Sequence, residues 1–298
     1  MDRIIRTITS DGSLMAAAID STELVYTAQR LHKLTKTSCA ALGRLLTGAS
    51  LMGAMLKENQ ATLTLKVAGE GPLGNLLALS DSRGYVRGYV DHPEVELPPK
   101  PNGKLDVGGA VGHNGRLAVI RDFGTGEPYS GQVELVSGEI AEDLTSYYAH
   151  SEQTPTICAL GVLVDKQEGS ALLAGGMLIQ ALPGAEDSAL DQLEKNVAKL
   201  DSVTTMLAKG LSPEDMWALA LDGFKVEKLD EFKVGYACNC SKERFSRVLL
   251  TLPGEDLETL PVNEKGLVET VCQYCNRSYM FSKEEIQELV ENSRKKAK

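Results

Sequence analysis

Four of the six cysteines in this 298-residue chain lie in two tight pairs near its C-terminus. The first pair is Cys238 and Cys240, and the second is Cys272 and Cys275, with thirty-one residues between the pairs. Thiolates are soft ligands that favour zinc, and a tetrahedral site needs two short clips that a fold brings together. The spacing therefore predicts a zinc site with four cysteine ligands. Such a site keeps no open coordination position, which argues against a catalytic metal.

The composition is that of an ordinary globular chain, with 43% hydrophobic and 24% charged residues and a length that favours about two domains. No stretch approaches the ~18 apolar residues of a membrane span, and the N-terminus lacks the apolar core of a signal peptide. We therefore expect a cytoplasmic protein without a membrane partner. In a reducing compartment, clustered thiols indicate metal or redox chemistry. Cys39 and Cys158 stand apart and are expected to be small buried apolar residues.

The charge distribution argues against nucleic acid as a partner. The net charge is −10, and the stretch from Cys238 onward carries ten basic and ten acidic residues. A zinc module that binds nucleic acid should cluster Lys and Arg against phosphates. Only 294–298 offers such a run, which we interpret as cations at a helix C-terminus. A zinc-ribbon nucleic-acid binder is therefore a disfavoured alternative.

Hydropathy patterns predict an α+β fold with antiparallel sheets for the N-terminal domain, 1–181. Strand-like runs outnumber helical ones, and many adjoin through turns. The predicted strands are 4–9, 14–19, 61–68, 73–79, 84–90, 117–121, 132–136, 156–164 and 171–181, and the predicted helices are 22–34, 38–57 and 139–148.

The pattern changes over 182–237, where apolar residues recur at three- and four-residue intervals with charges between them. Ser212 and Pro213 then provide an N-cap and a first-turn proline for another short helix. We expect an amphipathic helical linker that packs on the first domain at rest and is not stable alone. Its periodic apolar positions are Leu190, Leu193, Val197, Leu200, Val203 and Leu207.

The C-terminal domain, 238–298, is predicted to be a small zinc module. Ser241 can cap a helix running to about Leu250, and 267–271 and 279–281 resemble short strands beside the second cysteine pair. Ser282 begins a capping box for the last helix. So short a domain rarely folds without a disulfide or a metal, and the metal is expected to hold it together.

Other motifs do not indicate an enzyme. The segment 69–74 matches a dinucleotide fingerprint, but the residues after it predict a strand where that chemistry needs a helix N-terminus. The four histidines are scattered, and no nucleophile motif occurs. A thiol-disulfide oxidoreductase that uses Cys272 and Cys275 stays open as an alternative. It would need the pair at the start of a helix, whereas the flanking residues predict strands.

Several segments resemble the bacterial thirty-three-kilodalton heat-shock protein family of redox-regulated holdase chaperones. The similarity extends over essentially the whole chain in the same order. The segments that carry it are Cys238-Asn239-Cys240-Ser241-Lys242-Glu243-Arg244, Val271-Cys272-Gln273-Tyr274-Cys275 with Tyr279, Gly71-Pro72-Leu73-Gly74, Val86-Arg87-Gly88-Tyr89 and Tyr148-Ala149-His150-Ser151-Glu152-Gln153-Thr154-Pro155.

The resemblance implies that the reduced, zinc-bound form is inactive. Oxidation would form the Cys238–Cys240 and Cys272–Cys275 disulfides with release of zinc, and the linker would then unfold. Partly unfolded client proteins would bind without ATP, and the activated form would be a homodimer. A melted linker would expose apolar positions that can bind the exposed apolar surface of clients. The candidate client-binding residues are Leu190, Leu193, Val197 and Leu200.

Overall fold

The computed structural model describes residues 2–296, and its contacts divide the chain into two compact units, Met1–Ala237 and Cys238–Lys298. The first unit contains two five-stranded sheets, and the second, which we call the cysteine unit, contains a two-stranded sheet. Every pairing between neighbouring strands of these sheets is antiparallel. The predicted α+β class is confirmed.

The order of strands in the first sheet is β10-β1-β2-β9-β8, and that in the second is β5-β4-β3-β6-β7. The elements of the first unit are β1 (Arg3–Thr9), β2 (Leu14–Asp20), α1 (Thr22–His32), α2 (Lys36–Ala54), β3 (Thr62–Gly69), β4 (Asn75–Asp81), β5 (Val86–Val90), α3 (Val107–Val111), β6 (Gly115–Asp122), β7 (Tyr129–Glu134), α4 (Ala141–His150), β8 (Thr156–Val164), β9 (Ala171–Ala181), α5 (Asp187–Val197), α6 (Val203–Ala208), α7 (Pro213–Ala220) and β10 (Val226–Lys233).

Helix α2 contacts strands of both sheets and is buried along nearly its whole length. Its many Ala and Gly residues allow the sheets to approach closely. A Cβ added at Gly53 would lie 2.2 Å from the Ser80 hydroxyl oxygen and 2.6 Å from the Asp81 carbonyl oxygen. A larger residue there would force the second sheet away from the helix. The core of the first unit is therefore built around α2.

The glycine-rich segment 69–74 connects two antiparallel strands, β3 and β4. Gly74 has a φ of +67°, which a turn can use and which glycine adopts without a Cβ penalty. The Gly71 N–H donates to the Val111 carbonyl oxygen over 2.9 Å. No helix begins at this segment, so its interpretation as a hairpin is confirmed.

The stretch 182–237 differs from the expectation of helices throughout. The helices break at 198–202, where Ser202 becomes a new N-cap and accepts from the Thr205 N–H. After α7 the chain forms strand β10, which pairs with β1. This strand was not predicted, because it is a charged edge strand with only a few partly buried side chains and lacks a buried apolar face.

The cysteine unit contains α8 (Lys242–Leu249), α9 (Gly254–Glu258), β11 (Val268–Val271), β12 (Ser278–Phe281) and α10 (Lys283–Lys296). Strands and helices stand where the sequence predicted them, except that the short helix α9 was not anticipated. The capping box at the start of α10 is present, with the Ser282 N–H donating to Glu285 and the Glu285 N–H donating to the Ser282 hydroxyl. The side chains of the basic run 294–298 lie outside the described residues.

Candidate metal centre

The first cysteine pair lies in an irregular stretch that leads into α8. The hydroxyl of Ser241, the N-cap residue, accepts from the Arg244 N–H over 3.3 Å. This capped start fixes the helix directly after Cys240, and Cys238 stands two residues earlier. The N-terminal turn of α8 therefore positions the first clip.

The second pair lies in the turn that connects β11 to β12. The Cys272 N–H donates to the Arg277 carbonyl oxygen over 3.0 Å, which closes the base of the turn. The N–H groups of Cys275 and Asn276 both donate to the Cys272 carbonyl oxygen, over 3.3 and 2.7 Å. Asn276 adopts the left-handed conformation, with φ at 56°, and reverses the chain toward β12. The hairpin thus presents both thiols from one rigid loop.

The four sulfur atoms converge, all within 4.8 Å of one another. Cys238 Sγ lies 3.7 Å from Cys272 Sγ, and Cys240 Sγ lies 3.4 Å from Cys275 Sγ. A tetrahedral zinc ion with Zn–S bonds of ~2.3 Å requires sulfur–sulfur separations of about 3.8 Å. Both the separations and the donor set fit such an ion. The arrangement can bind a metal ion, with zinc as the compatible choice.

Hydrogen bonding makes the four thiols unequal before any metal binds. The Tyr279 hydroxyl donates to Cys240 Sγ over 3.1 Å. Burial opposes ionisation of Cys240, but the hydrogen bonds from Tyr279 and the neighbouring thiols lower its pKa to about 7. The same hydrogen bond raises the pKa of the Tyr279 phenol. Burial is the main cause that raises the pKa of Cys238. Cys240 therefore ionises more readily than Cys238.

A small set of contacts supports the two clips. The Lys242 ammonium donates to both carboxylate oxygens of Glu285, over 2.6 and 2.8 Å, and so connects α8 to α10. It also lies 5.1 Å from the centre of the Phe281 ring. The Phe245 and Tyr279 rings pack with their centres 5.1 Å apart. These contacts keep α8 against the β11–β12 hairpin on one side of the cluster.

The remaining two cysteines lie outside the cluster. Cys39 is fully buried in α2, as expected, while Cys158 on β8 is only partly buried. Burial raises the pKa of each thiol to about 12. Both are therefore protonated near neutral pH and are poor nucleophiles.

The candidate client-binding residues of the 182–237 segment belong to an apolar cluster that also contains residues of strands β2 and β9. Leu193 is buried, and Leu190, Val197 and Leu200 are partly buried against the same apolar cluster. We call this the segment cluster. Its other buried members, on β2, β9, α6, α7 and the residue that follows α7, are Leu14, Ala16, Ala18, Met177, Ile179, Ala181, Val203, Met206, Leu207, Met216, Ala220 and Leu221.

Sequence reasoning missed two features that matter here. The Tyr279 hydrogen bond to Cys240 joins residues 39 positions apart, and only the strand pattern of 279–281 pointed to this region. The second is Asn196, which is buried and donates to the carbonyl oxygens of Ala220 and Asp222 over 3.1 and 2.8 Å. A polar residue on the apolar side of a helical repeat could have revealed it. This amide ties α5 to the end of α7.

Across residues 2–296, no helix combines the length and the apolar character needed to cross a membrane.

Comparisons with known proteins agree over nearly the full length. A family model described as "Hsp33 protein" matches residues 2–282. A 33 kDa chaperonin of Clostridioides difficile is 46% identical over 97% of this chain and 98% of its own length. That of Bacillus licheniformis is 42% identical over 97% and 99%. The crystal structure of a 33 kDa chaperonin from Thermotoga maritima superposes with a TM-score of 0.88 at 38% identity, covering 97% of both chains.

Proposed function

This chain belongs to the Hsp33 family and is a chaperone, and we propose that it is a redox-regulated holdase that binds unfolding proteins without ATP. The observation that carries this proposal is the convergence of four thiols in a unit with a small apolar core. A unit of this kind depends on its metal for folding. An oxidant reacts with the same thiolates that bind the metal, and the oxidised sulfur atoms no longer bind it.

In the reduced state, Cys238, Cys240, Cys272 and Cys275 would hold one Zn²⁺. When bound, the ion would stabilise the thiolates and link the α8 clip to the hairpin clip. The low pKa of Cys240 supports deprotonation of the first ligand near neutral pH. Oxidation of the thiolates would remove the ligands, release the ion and form the disulfides Cys238–Cys240 and Cys272–Cys275. Formation of each disulfide would pass two electrons from a pair of thiolates to the oxidant, and the thiol protons would already have left when the ion was bound.

The step from the metal to client binding would pass through the 182–237 segment. Two hydrogen bonds hold its last residues to strand β5. The Ala237 N–H donates to the Val86 carbonyl oxygen over 2.8 Å, and the Tyr236 hydroxyl donates to the Gly88 carbonyl oxygen over 2.8 Å. Cys238 follows directly in the chain. If the cysteine unit unfolds, these hydrogen bonds would lie at the end of the remaining folded chain, where local unfolding costs the least free energy.

Release of the segment would expose two apolar faces. One is the helix face with Leu190, Leu193, Val197 and Leu200, and the other is the sheet face of β2 and β9 that now covers it. Contiguous apolar surface of this kind binds other exposed apolar surface. Client proteins that are partly unfolded present such surface, and so does a second activated copy. We therefore include a homodimer of the activated form in the proposal.

The alternative of a thiol-disulfide oxidoreductase is less well supported. Cys272 and Cys275 lie in the turn of a β-hairpin, whereas a reactive pair of this class lies at a helix N-terminus that lowers the thiol pKa. A nucleic-acid-binding role has equally little support, since the cysteine unit carries balanced charge. We propose a chaperone without enzymatic activity that works in the cytoplasm, where the thiols stay reduced until stress.

Light scattering of a heat-unfolded client protein tests the proposal. Peroxide-treated protein should suppress aggregation of the client at near-equimolar amounts, while reduced, zinc-loaded protein should not. Equal suppression by both forms would contradict redox control. Catalytic reduction of insulin would favour the oxidoreductase alternative, and salt-sensitive binding of RNA would favour the nucleic-acid alternative.

A further inference from the structure

The first unit contains a cavity of about 290 Å³ that the proposed function does not use. Its walls come from α2, the loop at 103–105, strand β8 and the stretch 202–204 at the start of α6. The floor is apolar, with Leu160 and Val162 of β8 and Leu105 of the loop. The 202–204 wall belongs to the segment that the chaperone proposal releases.

Four cations line this cavity, namely Lys36, Arg44, Lys104 and Lys166. No carboxylate stands among the described residues that line it, although the whole chain carries a net charge of −10. A concave site with walls of low dielectric focuses the potential of such charges. The cavity is therefore a positive site in an acidic protein.

The cations are only partly neutralised by their surroundings. The Lys36 ammonium donates to the Lys166 carbonyl oxygen over 2.9 Å and has Glu96 at 3.7 Å. Lys104 and Lys166 are exposed, and their side chains form no ion pair with a described residue. These two lysines are thus available to an incoming anion.

Arg44 is the least exposed of the four cations, with a partly buried side chain. One of its terminal nitrogens lies 2.5 Å from Glu139, whose other carboxylate oxygen receives the Lys100 ammonium over 2.6 Å. Glu139 therefore pairs with both Arg44 and Lys100, and Asp106 lies 3.5 Å from Lys100 as a second carboxylate. The Arg44 Nε is buried and has no hydrogen-bond partner among the described residues. Because this Nε has no exposed surface, Arg44 contributes to the cavity through the charge of its guanidinium group.

We infer that this cavity binds the phosphate chain of an oligophosphate anion. Guanidinium and ammonium groups are the side chains that recognise phosphate oxygens. Several cations along one cavity suit a ligand with several charged groups better than a single small anion. The shared chemistry is a chain of phosphates, which inorganic tripolyphosphate and a nucleoside triphosphate both contain. In the second case the apolar floor would take the base.

The ligand would also act on the proposed switch, a step that rests on the proposed function. A ligand that touches both β8 and 202–204 binds the closed arrangement and loses contacts when the segment leaves. All four cations lie outside 202–204, so the open arrangement still binds the ligand, only more weakly. The ratio of the affinities for the closed and the open arrangement sets the largest factor by which saturating ligand can suppress opening. The anion would thus hold the chaperone latent.

Isothermal titration of reduced, zinc-loaded full-length protein with sodium tripolyphosphate tests the site. Zinc content should be measured afterward, because this anion also chelates metals. The double variant Lys104→Ala/Lys166→Ala removes two exposed side chains and should weaken binding at least tenfold. Lys57→Ala removes an exposed lysine away from the cavity and should leave the affinity unchanged.

Titrations with ATP and with adenosine distinguish the two sources. Equal affinities for ATP and tripolyphosphate would assign the site to the phosphate chain alone, while tighter binding of ATP, with no binding of adenosine, would place a base on the apolar floor. An absence of binding by both anions at millimolar concentration would overturn the inference. So would binding that the double variant retains in full.

Hydrogen exchange of 187–208 and the rate of peroxide activation test the regulatory step. Saturating tripolyphosphate should slow both in the native protein and neither in the double variant. Intact anion binding without any slowing would refute the regulation but leave the site. If the protein never protects a client, the proposed function fails while the titration still decides the site.

Discussion

The first unit buries its central helix between two five-stranded sheets, whereas the cysteine unit buries only a handful of apolar side chains beside its four thiols. The buried core of the first unit extends from Ile4 on β1 to Val234 after β10. Among the described residues, the core of the cysteine unit consists of Leu249, Leu257, Val268, Phe281, Ile286, Leu289 and Val290.

This difference indicates which part of the molecule should unfold when the cysteines change. Burial of apolar surface scales with size, so a large domain folds by itself while a unit of about 60 residues needs a further source of stability. The four sulfur atoms could provide one by binding a metal ion together. We therefore expect loss of the metal to unfold the cysteine unit and to leave the two large sheets intact.

The 182–237 segment stands between these extremes. It packs on the sheet through one apolar face, and it adds polar ties such as the Arg3 guanidinium, which bonds to Glu214 on α7 and Glu231 on β10 over 2.9 and 2.8 Å. These ion pairs are about one-third exposed and contribute little. The helices of the segment are thus held mainly by their apolar face, whereas β10 is also held by its pairing with β1 and Val234 belongs to the core around α2.

The largest expected effect is that of removing the metal. Structural zinc contributes ~10–16 kcal/mol of apparent binding energy, more than the small core can replace. Cys272→Ser should lower the zinc content well below one ion per chain. Hydrogen exchange from residue 238 onward should accelerate in this variant, while α2 and its neighbouring strands stay protected.

Cys39→Ala is the matched control, because it removes a buried thiol that lies outside the cluster. It should keep one zinc per chain. Equal zinc content in the two variants would refute the four-cysteine site. Accelerated exchange throughout the first unit of Cys272→Ser would show that the two units do not differ as argued.

The second prediction concerns how oxidation links the thiols. Neighbour disulfides close rings of three and four residues and constrain the chain by only about 1.6 and 1.9 kcal/mol. The nearest sulfur pairs in the structure are instead Cys238 with Cys272 and Cys240 with Cys275. The first disulfide between those pairs would close a loop of about 35 residues and retain about 3.8 kcal/mol. It would keep the clips together.

Peptide mapping of the oxidised, client-binding form should therefore find Cys238 joined to Cys240 and Cys272 joined to Cys275. Only this connectivity allows the cysteine unit to melt. Predominant bonds between the two pairs in the active form would overturn the proposed mechanism and would leave the metal site itself unaffected.

The third prediction weakens the apolar face of the segment. Met216 on α7 is fully buried in the segment cluster, and Met216→Ala should cost roughly 2–5 kcal/mol. The segment should then open more often, and peroxide should activate the chaperone faster. Leu219→Ala on the same helix is the control, since Leu219 is 47% exposed and its loss should change stability by less than about 0.5 kcal/mol. Equal activation rates in Met216→Ala and the native protein would contradict the idea that this apolar face keeps the segment closed.

Much of this organisation could be predicted from the sequence where a local pattern determines the structure. Alternating apolar residues located the β1–β2 hairpin, the Ala-rich periodicity located α2, and the Ser282 capping box located the start of α10. The convergence of the four thiols was expected from thiol chemistry and spacing alone, and their role as ligands stays a prediction.

The rest depends on tertiary contacts that no local pattern contains. Strand β10 is charged and exposed, and its partner β1 lies more than 200 residues away. The Tyr279 hydrogen bond that lowers the pKa of Cys240 requires the hairpin to fold against α8. The basic cavity likewise gathers Lys36, Lys104 and Lys166 from three distant stretches.

The smallest predicted effect is a pH dependence confined to the first unit. Asp2 is buried, and its carboxylate accepts from the N–H groups of Glu23 and Leu24 over 3.0 and 2.6 Å. Burial outweighs these hydrogen bonds and raises the pKa of Asp2 to about 6 from 3.8. The folded state thus binds this proton more tightly than the unfolded state. Stability should therefore fall as pH rises from about 4 to 6 and then level off, by at most about 3 kcal/mol.

Asp2→Asn should remove this slope, so the stability of the variant relative to the native protein should rise across the same pH window. Urea unfolding followed by circular dichroism at pH 2 to 7 measures the difference and also covers the window of the control below. Asp11→Asn is the matched control of opposite sign, because hydrogen bonds from Thr9 and Ser13 lower the pKa of Asp11 to about 2. Its native carboxylate adds stability that is lost as pH falls below about 4. Hydrogen exchange in the cysteine unit should not respond to either variant, and a response there would show that the two units do not unfold independently.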